Sequence, residues 1–94
     1  MTWGFRRDVP ITREQYDQLD KEITKDPDGL ILHSAAPTDG GFQIIDVWDS
    51  KEAYERFERE TLFPAFERIG VSMKSPPPRH DFDVHKVRGR GARA

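Results

Sequence analysis

Four stretches of the chain predict β-strands: the first and the last place apolar residues at alternate positions, and the middle two are short, mainly apolar runs. These stretches are residues 2–9, 30–36, 42–48 and 79–87. Asp39 and Gly40 separate the second stretch from the third, and an Asp-Gly pair is typical of the two-residue type I′ turn of a β-hairpin. The second and third strands are therefore predicted to pair directly.

The segment between the first two predicted strands has helical period instead. Tyr16, Leu19 and Ile23 fall on one face of a helix. Thr12 and Gln15 have the spacing of a capping box, in which each side chain bonds the backbone N–H of the other residue. The first helix is therefore predicted to begin near Thr12.

A second helical region follows the third strand. Asp49 and Glu52 also have capping-box spacing, which predicts a helix start at Asp49. The apolar stripe then slips in phase before Pro64, so a separate short helix is predicted from there to Gly70. The order β-α-β-β-α-β, with this extra helix, is that of the α+β ferredoxin-like fold. It predicts a four-stranded antiparallel sheet with helices on one face only.

The chain is small and highly charged. Its 94 residues suit a single domain, predicted at residues 1–88 and followed by a basic, disordered tail at residues 89–94. Charged residues make up 34% of the chain and the mean hydropathy is −0.79, so little apolar material is available for a core. A second copy that covered the bare sheet face would compensate for this, and we expect a homodimer.

Charge and motif content argue against several classes of function. A net charge of −2 and a pI near 5.9 argue against nucleic-acid binding. Without cysteine there is no thiolate metal site, and the three histidines lack a metal-binding spacing. No phosphate-binding glycine motif is present, so we expect no tightly bound nucleotide or flavin and no cofactor. The sequence shows neither a signal peptide nor a membrane-spanning stretch, so a cytoplasmic protein without membrane contact is expected.

Four segments combine these elements in a recognisable pattern: ITREQYDQL, GLILHSAAPTDGGFQIIDVWDSKEAYERF, FPAFERIG and, after a proline linker, DVHKV. Through them, residues 3–87 resemble the dimeric α+β barrel superfamily, and within it the small antibiotic-biosynthesis-monooxygenase-like proteins. The resemblance implies that two sheets face each other in a barrel and that each half holds a ligand cavity. Members include cofactor-free oxygenases of quinols and polyphenols, polyketide cyclases and haem-degrading enzymes. Haem degradation is disfavoured because the chain lacks the asparagine that such members commonly use.

A two-residue turn fixes the register of the predicted hairpin, so that the numbers of paired residues sum to 79. His33 then lies opposite Asp46, and Ile31 lies opposite Trp48. Alternate residues share a face. One face is uniformly aliphatic and is predicted to pack under the helices: Leu30, Leu32, Ile45 and Val47. The other face is mixed and is predicted to line the barrel cavity: Ile31, His33, Ile44, Asp46 and Trp48.

The pair of His33 and Asp46 is the main candidate for chemistry. A carboxylate beside a half-buried histidine raises the pKa of the imidazole and orients its ring, as a general acid or base near neutral pH requires. Three interpretations stay open at this point: the two side chains satisfy each other structurally, they bind a ligand, or they transfer a proton.

Other residues are predicted to contact a ligand from the same sheet face or from the last strand. They are Phe5, Ile31, Phe42, Ile44, Trp48 and His85. Arg7 shares the face of Phe5 and is a candidate partner for an anion or phenolate, or else for an acidic side chain. Tyr16 is predicted to be a core residue.

Three functions are consistent with these features. The first is a cofactor-independent monooxygenase or cyclase that acts on an aromatic or polyketide-like molecule, with His33 as proton shuttle and Asp46 as its orienting partner. The second is a non-catalytic carrier or sensor that uses the same cavity. The third is a structural dimer without a ligand.

Overall fold

The computed structural model describes residues 2–89 and contains one antiparallel sheet in the order β2-β3-β1-β4. Among these residues the elements are β1 (Trp3–Val9), α1 (Arg13–Glu22), β2 (Leu30–Thr38), β3 (Gly41–Trp48), α2 (Lys51–Phe57), a π-helical turn (Glu58–Leu62), α3 (Phe63–Arg68) and β4 (Arg79–Asp83). This confirms the predicted α+β ferredoxin-like fold. Of the tail predicted at residues 89–94, only Gly89 belongs to the described residues.

The start of α1 confirms the predicted capping box. The Thr12 hydroxyl accepts a hydrogen bond from the Gln15 backbone N–H at 3.1 Å, and the Gln15 side-chain carbonyl accepts one from the Thr12 N–H at 2.9 Å. Leu19 is buried, with Tyr16 and Ile23 packed beside it. The apolar face of the helix is therefore turned towards the sheet.

The second helical region differs from its prediction in two places, at its N-terminus and at the junction before Pro64. Its N-cap is Ser50, not Asp49, because the Ser50 side chain accepts from the Ala53 N–H at 3.1 Å. The Asp49 N–H is instead donated to the carbonyl of Gly29 at 2.8 Å, which keeps Asp49 in the loop. The phase slip before Pro64 is accommodated by the π-helical turn, so α2 runs on into α3 without a break.

The hairpin register is confirmed, but the predicted turn type is wrong. Thr38 pairs with Gly41 and His33 with Asp46. Neither Asp39 nor Gly40 has a positive φ, as a type I′ turn requires. The positive φ occurs at Gly41, where it is +148° and where a Cβ atom would lie 2.1 Å from the Val9 carbonyl oxygen.

The pairing predicted between Ile31 and Trp48 is also wrong. Leu30 pairs with Trp48 and Leu32 with Val47, so Ile31 is the extra residue of a β-bulge. Because the bulge adds one residue to β2, Leu30 joins the side chains that pack with Trp48. The alternation of faces assumed from the sequence therefore fails at this end of the strand.

The structure reverses the predicted assignment of the two sheet faces. The mixed face packs under the helices: Phe5 and Trp48 form one core cluster with Tyr54 of α2, and Phe42 joins a second with Leu19 of α1. Packing under the helices stabilises the fold most where large aromatic side chains are covered, because each of them buries a large apolar area.

The opposite face contributes no side chain to either core cluster. It carries the aliphatic residues that were predicted to lie under the helices, Leu32, Ile45 and Val47. Phe82 of β4 lies on the same face, over Gly4, where a Cβ atom would come within 2.5 Å of its ring. This open face is the part of the sheet that a second copy would have to cover.

The last strand is shorter than predicted and ends at Asp83. Beyond it, the Val84 N–H is donated to the Thr2 carbonyl at 3.1 Å, and His85 is exposed and outside any strand. None of the helices among residues 2–89 is long and apolar enough to span a membrane.

Candidate functional site

A cavity of about 170 Å³ lies between the helix-covered face of the sheet and the helices. Apolar side chains from β1, β3 and all three helices form most of its wall. The ionisable residues in the wall are Arg7, Tyr16, Asp20, Asp26, His33, Asp46 and Tyr54. Two groups of polar contacts occur among them, one around His33 and the other around Arg7.

The first group is a chain of hydrogen bonds, which we call the His33 relay. It consists of Tyr16, His33, Asp46 and Trp48. The Tyr16 hydroxyl lies 2.7 Å from His33 Nε2, and His33 Nδ1 lies 2.7 Å from Asp46 Oδ1. Trp48 Nε1 donates to Asp46 Oδ2 at 3.1 Å. The cross-strand pairing of β2 with β3 places His33 beside Asp46, and α1 brings the Tyr16 hydroxyl to Nε2 at the edge of the imidazole ring.

The donors of the relay follow from what each atom can do. A carboxylate only accepts hydrogen bonds, so His33 Nδ1 donates to Asp46. In the neutral imidazole Nε2 is then the acceptor, and it accepts a hydrogen bond from the Tyr16 hydroxyl. The His33 side chain is 39% exposed whereas that of Asp46 is 8% exposed. The relay therefore runs from a buried carboxylate to an accessible imidazole and phenol.

The two titrating groups of the relay have shifted pKa values. The hydrogen bond to Asp46 raises the pKa of His33 above its ordinary 6.5, against an opposing effect of burial. Burial raises the pKa of Tyr16, and the nearby carboxylates of Asp20, Asp46 and Asp17 add to the increase. Tyr16 consequently keeps its proton at neutral pH unless His33 accepts it.

Ring packing also holds Tyr16 in place. Its ring is nearly coplanar with that of His33, with centroids 6.3 Å apart and planes inclined by 6°, so the two rings meet edge to edge through the hydrogen bond. The Phe42 ring lies 4.8 Å from the Tyr16 ring on the side of the core. The hydroxyl is therefore positioned by ring contacts as well as by its hydrogen bond.

The second group, the Arg7 cluster, consists of Arg7, Tyr54 and Glu58. The Tyr54 hydroxyl donates to Glu58 Oε2 at 2.7 Å, and Arg7 Nη1 donates to Tyr54 at 3.2 Å and to Glu58 at 3.3 Å. Burial, more than any other cause, raises the pKa of Tyr54. Glu58 opens the π-helical turn, a feature that is frequent at functional sites. Arg7 is thus paired with an acid, one of the two roles open to it from the sequence.

The residues predicted to form the site fall into two sets. His33, Asp46, Phe5, Ile44 and Trp48 line the cavity. The other predicted ligand contacts do not line it: Ile31 is in the bulge, Phe42 packs in the core behind Tyr16, and His85 is exposed beyond β4.

Sequence reasoning did not identify Tyr16, Tyr54 or Glu58 as polar partners. Tyr16 was assigned to the core on its helical periodicity, which locates the ring but not its hydroxyl. Only the reversal of the sheet faces brings that hydroxyl to His33. Among residues 2–89, no group of three or more histidine, aspartate or glutamate side chains could hold a metal ion.

Comparison with known proteins gives structural matches only. No protein-family model matches the sequence, and no curated protein matches it. A provisionally assigned antibiotic biosynthesis monooxygenase from Chloroflexus aurantiacus superposes with a TM-score of 0.68 at 16% identity, over 95% of this chain and 98% of the other. A second provisionally assigned monooxygenase of this type, from Caulobacter crescentus, gives 0.64 at 11% identity, over 90% and 91%.

A third match has a described activity. SnoaB, a cofactor-independent oxygenase from Streptomyces nogalater solved as an asparagine-to-alanine mutant, superposes with a TM-score of 0.56 at 15% identity, over 92% of this chain and 93% of that one. At such identities the likeness establishes the fold and leaves the reaction open. The resemblance predicted from the sequence is thus confirmed at the level of fold: this chain has the α+β ferredoxin-like fold of antibiotic-biosynthesis-monooxygenase-like proteins.

Proposed function

We propose that this protein is a cofactor-independent enzyme of the monooxygenase or cyclase type, acting on a small aromatic or polyketide-like molecule bound in the cavity. The observation that supports it most strongly is the His33 relay, in which 2.7 Å hydrogen bonds connect a buried carboxylate to an accessible imidazole and phenol at the wall of an apolar cavity. Such an arrangement suits the removal of a proton from a bound substrate.

In the proposed mechanism Tyr16 touches the substrate and His33 supplies the basicity. An acidic O–H group of the substrate gives its proton to the Tyr16 oxygen as the Tyr16 proton moves to Nε2 of His33. The imidazolium that forms is stabilised by Asp46, which Trp48 holds from its other oxygen. The products of this step are a substrate phenolate or enolate and a protonated His33.

Both candidate reactions begin with that anion. In a cofactor-independent oxygenation the substrate anion itself is the reductant for molecular oxygen. In a cyclisation its nucleophilic carbon attacks a carbonyl of the same molecule. The apolar wall favours either course, because a site that excludes water leaves the anion unsolvated and reactive. A fold neighbour that is a cofactor-independent oxygenase supports the first course.

The cavity volume limits the size of the substrate. A cavity of about 150 Å³ is known to hold benzene, and the volume here is about 170 Å³. One ring, or two fused rings with part of the molecule at the mouth, fits this space. We therefore propose a substrate with a small hydroxylated ring system.

A non-catalytic carrier or sensor is the second candidate. One observation favours it: the Tyr16 hydroxyl already satisfies Nε2 of His33, so the relay is complete without a ligand.

The proposed assembly is a cytoplasmic homodimer formed through the open face of the sheet. That face carries Leu32, Ile45, Val47 and Phe82, and it contributes no side chain to either core cluster. Val47 is already buried, but Leu32, Ile45 and Phe82 keep part of their apolar surface exposed, and such surface favours association with a second copy. Sedimentation equilibrium of the wild type and of Ile45→Lys would test it, with a dimer expected only for the wild type.

The proposed activity is tested by aerobic incubation with a panel of one-ring and two-ring phenols, hydroquinones and 1,3-diketones, with product formation followed by mass spectrometry and oxygen uptake. His33→Gln should lower the turnover of any substrate found by about 10²–10⁴-fold, the usual contribution of general acid–base catalysis. His85→Gln is the matched control, because His85 is exposed and away from the cavity. Equal turnover by the two variants would contradict the mechanism. Tight binding of panel members without any product would favour the carrier.

A further inference from the structure

The guanidinium of Arg7 is incompletely satisfied where it borders the cavity. The Arg7 side chain is 10% exposed and lines the cavity. Within residues 2–89, both hydrogen bonds found for this group are donated by Nη1, to Tyr54 at 3.2 Å and to Glu58 at 3.3 Å. Both exceed the 2.7–2.9 Å typical of charge-assisted N–H···O bonds. The Nε atom is buried and, in the described part of the chain, has no hydrogen-bond partner.

A buried N–H without a partner is costly in free energy, so it is rare unless a ligand or water completes it. Among residues 2–89 the Nη2 atom also donates no hydrogen bond, and it is not enclosed as Nε is, so an acceptor oxygen on a bound molecule would complete the guanidinium there.

The charges in the cavity wall indicate which kind of oxygen this is. Glu58 already neutralises Arg7. The other acids of the wall include Asp20 and Asp46, and both would repel a ligand carboxylate. A carbonyl oxygen accepts a hydrogen bond without adding a charge, so an uncharged ketone fits these surroundings better than a carboxylate.

The strand order sets the distance between Arg7 and the relay. Arg7 is on β1 and His33 is on β2, with β3 between them. Arg7 pairs with Ile44 and Ile44 with Ala35, so two strand spacings and a two-residue offset along the strands separate Arg7 from His33 by roughly 12 Å between backbones. A ligand that reaches both groups therefore has its ketone and its acidic hydroxyl at opposite ends of the ring system.

We propose that the cavity selects an uncharged hydroxyaryl ketone, whose hydroxyl group meets Tyr16 and His33 and whose ketone oxygen accepts a hydrogen bond from Arg7. This specificity rests on the proposed function for the identity of the cavity as the substrate site. It does not depend on turnover, because it concerns binding alone. Arg7 is thus the residue that distinguishes a hydroxyaryl ketone from a simple phenol.

Two matched probes test this selectivity. 6-Hydroxy-1-tetralone and 5,6,7,8-tetrahydro-2-naphthol have the same fused rings and hydroxyl position, and only the first carries a ketone. Titration calorimetry of the wild type should show that the ketone binds about tenfold more tightly, as expected for one added hydrogen bond to a charged donor. 6-Hydroxy-1,2,3,4-tetrahydronaphthalene-1-carboxylate, which keeps the saturated second ring and carries a carboxylate at the position of the ketone, should bind more weakly than the ketone. Equal affinities for the first two probes, or tighter binding of the carboxylate, would overturn the inference.

Variants assign the preference to Arg7. The double variant Arg7→Met/Glu58→Gln removes both charges together, so that neither remains buried alone, and should bind the ketone and the phenol about equally. Glu58→Gln by itself keeps the guanidinium and should keep the preference. A preference unchanged in the double variant would contradict the role of Arg7.

A second measurement needs no variant and covers the case in which the double variant fails to fold. The infrared carbonyl band of bound 6-hydroxy-1-tetralone in wild-type protein should move to lower wavenumber than in hexane, because a charged donor polarises the ketone. A band at the hexane position would overturn the inference.

If His33→Gln loses turnover but keeps these binding preferences, the results support both the proposed enzyme activity and the ketone-selective site. If neither the wild type nor any variant turns over a substrate and the binding preferences are intact, the proposed enzyme activity is refuted and the ketone-selective site is supported.

Discussion

The His33 relay and the Arg7 cluster both contain a tyrosine, an acid and a basic group. They differ in how completely the nitrogen atoms of the basic group are hydrogen-bonded. In the relay the bonds to His33 are both 2.7 Å, and its side chain is 39% exposed. In the Arg7 cluster the bonds donated by the guanidinium are 3.2 and 3.3 Å, and its buried Nε has no partner among residues 2–89.

This difference separates two tasks that one cavity has to perform. Short bonds that reach an accessible imidazole allow a proton to enter and leave the relay. A buried ion pair beside a tyrosine exchanges little with water, and removing one of its members leaves the other buried without a partner, while its unpaired donor can position a ligand. Substitutions in the relay should therefore affect turnover, and substitutions in the Arg7 cluster should affect stability and binding.

Asp46→Asn should have the largest effect on turnover. Trp48 donates to one oxygen of Asp46, so the amide oxygen of an asparagine would face Trp48 and its NH₂ group would face His33. His33 Nδ1 would then have to accept, Nε2 would carry the proton, and Tyr16 would lose its acceptor. We expect turnover of a substrate from the panel to fall by about 10²–10⁴-fold.

Asp49→Asn is the matched control for this substitution. It makes the same chemical change three residues further along, at an exposed position that does not line the cavity. Steady-state kinetics at several pH values should show wild-type behaviour for the control. A wild-type rate in Asp46→Asn would show that the relay does not transfer the proton.

Two Tyr→Phe substitutions test the separation of the clusters directly. Tyr16→Phe keeps the ring packed on Phe42 but removes the hydroxyl that touches the substrate, so turnover should fall by about tenfold or more. Tyr54→Phe removes a hydroxyl from the other cluster and should leave turnover little changed. If both substitutions lowered turnover equally, the division of tasks between the clusters would be wrong.

The same two variants should show the opposite order in stability. Tyr54 is buried and donates to Glu58 at 2.7 Å, so its loss should lower the free energy of unfolding by about 1–3 kcal/mol, the usual cost of a buried group left unpaired. The Tyr16 hydrogen bond is exposed and should contribute much less. Urea denaturation of both variants beside the wild type measures the difference, and a larger loss in Tyr16→Phe would contradict it.

The pH dependence of stability is the smallest expected effect. Folding raises the pKa of His33 through its hydrogen bond to Asp46, so the folded state binds the proton more tightly than the unfolded state does. This contribution is fully present below the unfolded pKa and is lost as the pH rises through the folded pKa. Denaturation of wild type and His33→Gln from pH 5 to pH 9 should therefore show their difference in stability shrinking as the pH rises. A difference that grew with pH would show that folding lowers the pKa of His33, which would contradict the prediction.

Local signals predicted the fold well. The capping box at Thr12 and the two-residue turn at Asp39 depend on short-range bonds, and they gave the start of α1 and the pairing of His33 with Asp46. The element order then left few ways to arrange four strands and their helices. For this reason the sheet and the central pair of the site were predictable.

The faces of the sheet were not predictable in the same way. An aliphatic stripe suggests a core, but aromatic residues on the other face bury more area, and the helices cover those instead. Leu30, Ile31 and Leu32 are all aliphatic, so no change in the apolar pattern marks the bulge at Ile31. The roles of Tyr16 and Arg7 depend on contacts between distant segments, so their periodicity located them without showing their partners.

The account depends most on the protonation of His33, which a pH titration of the imidazole nitrogens by long-range ¹H–¹⁵N NMR measures directly, with His80 and His85 as exposed references in the same spectrum. We predict a neutral His33 protonated on Nδ1, with a pKa above 6.5 that falls when Asp46 is replaced by asparagine. A neutral ring protonated on Nε2, or a pKa below 6.5, would contradict the proton relay.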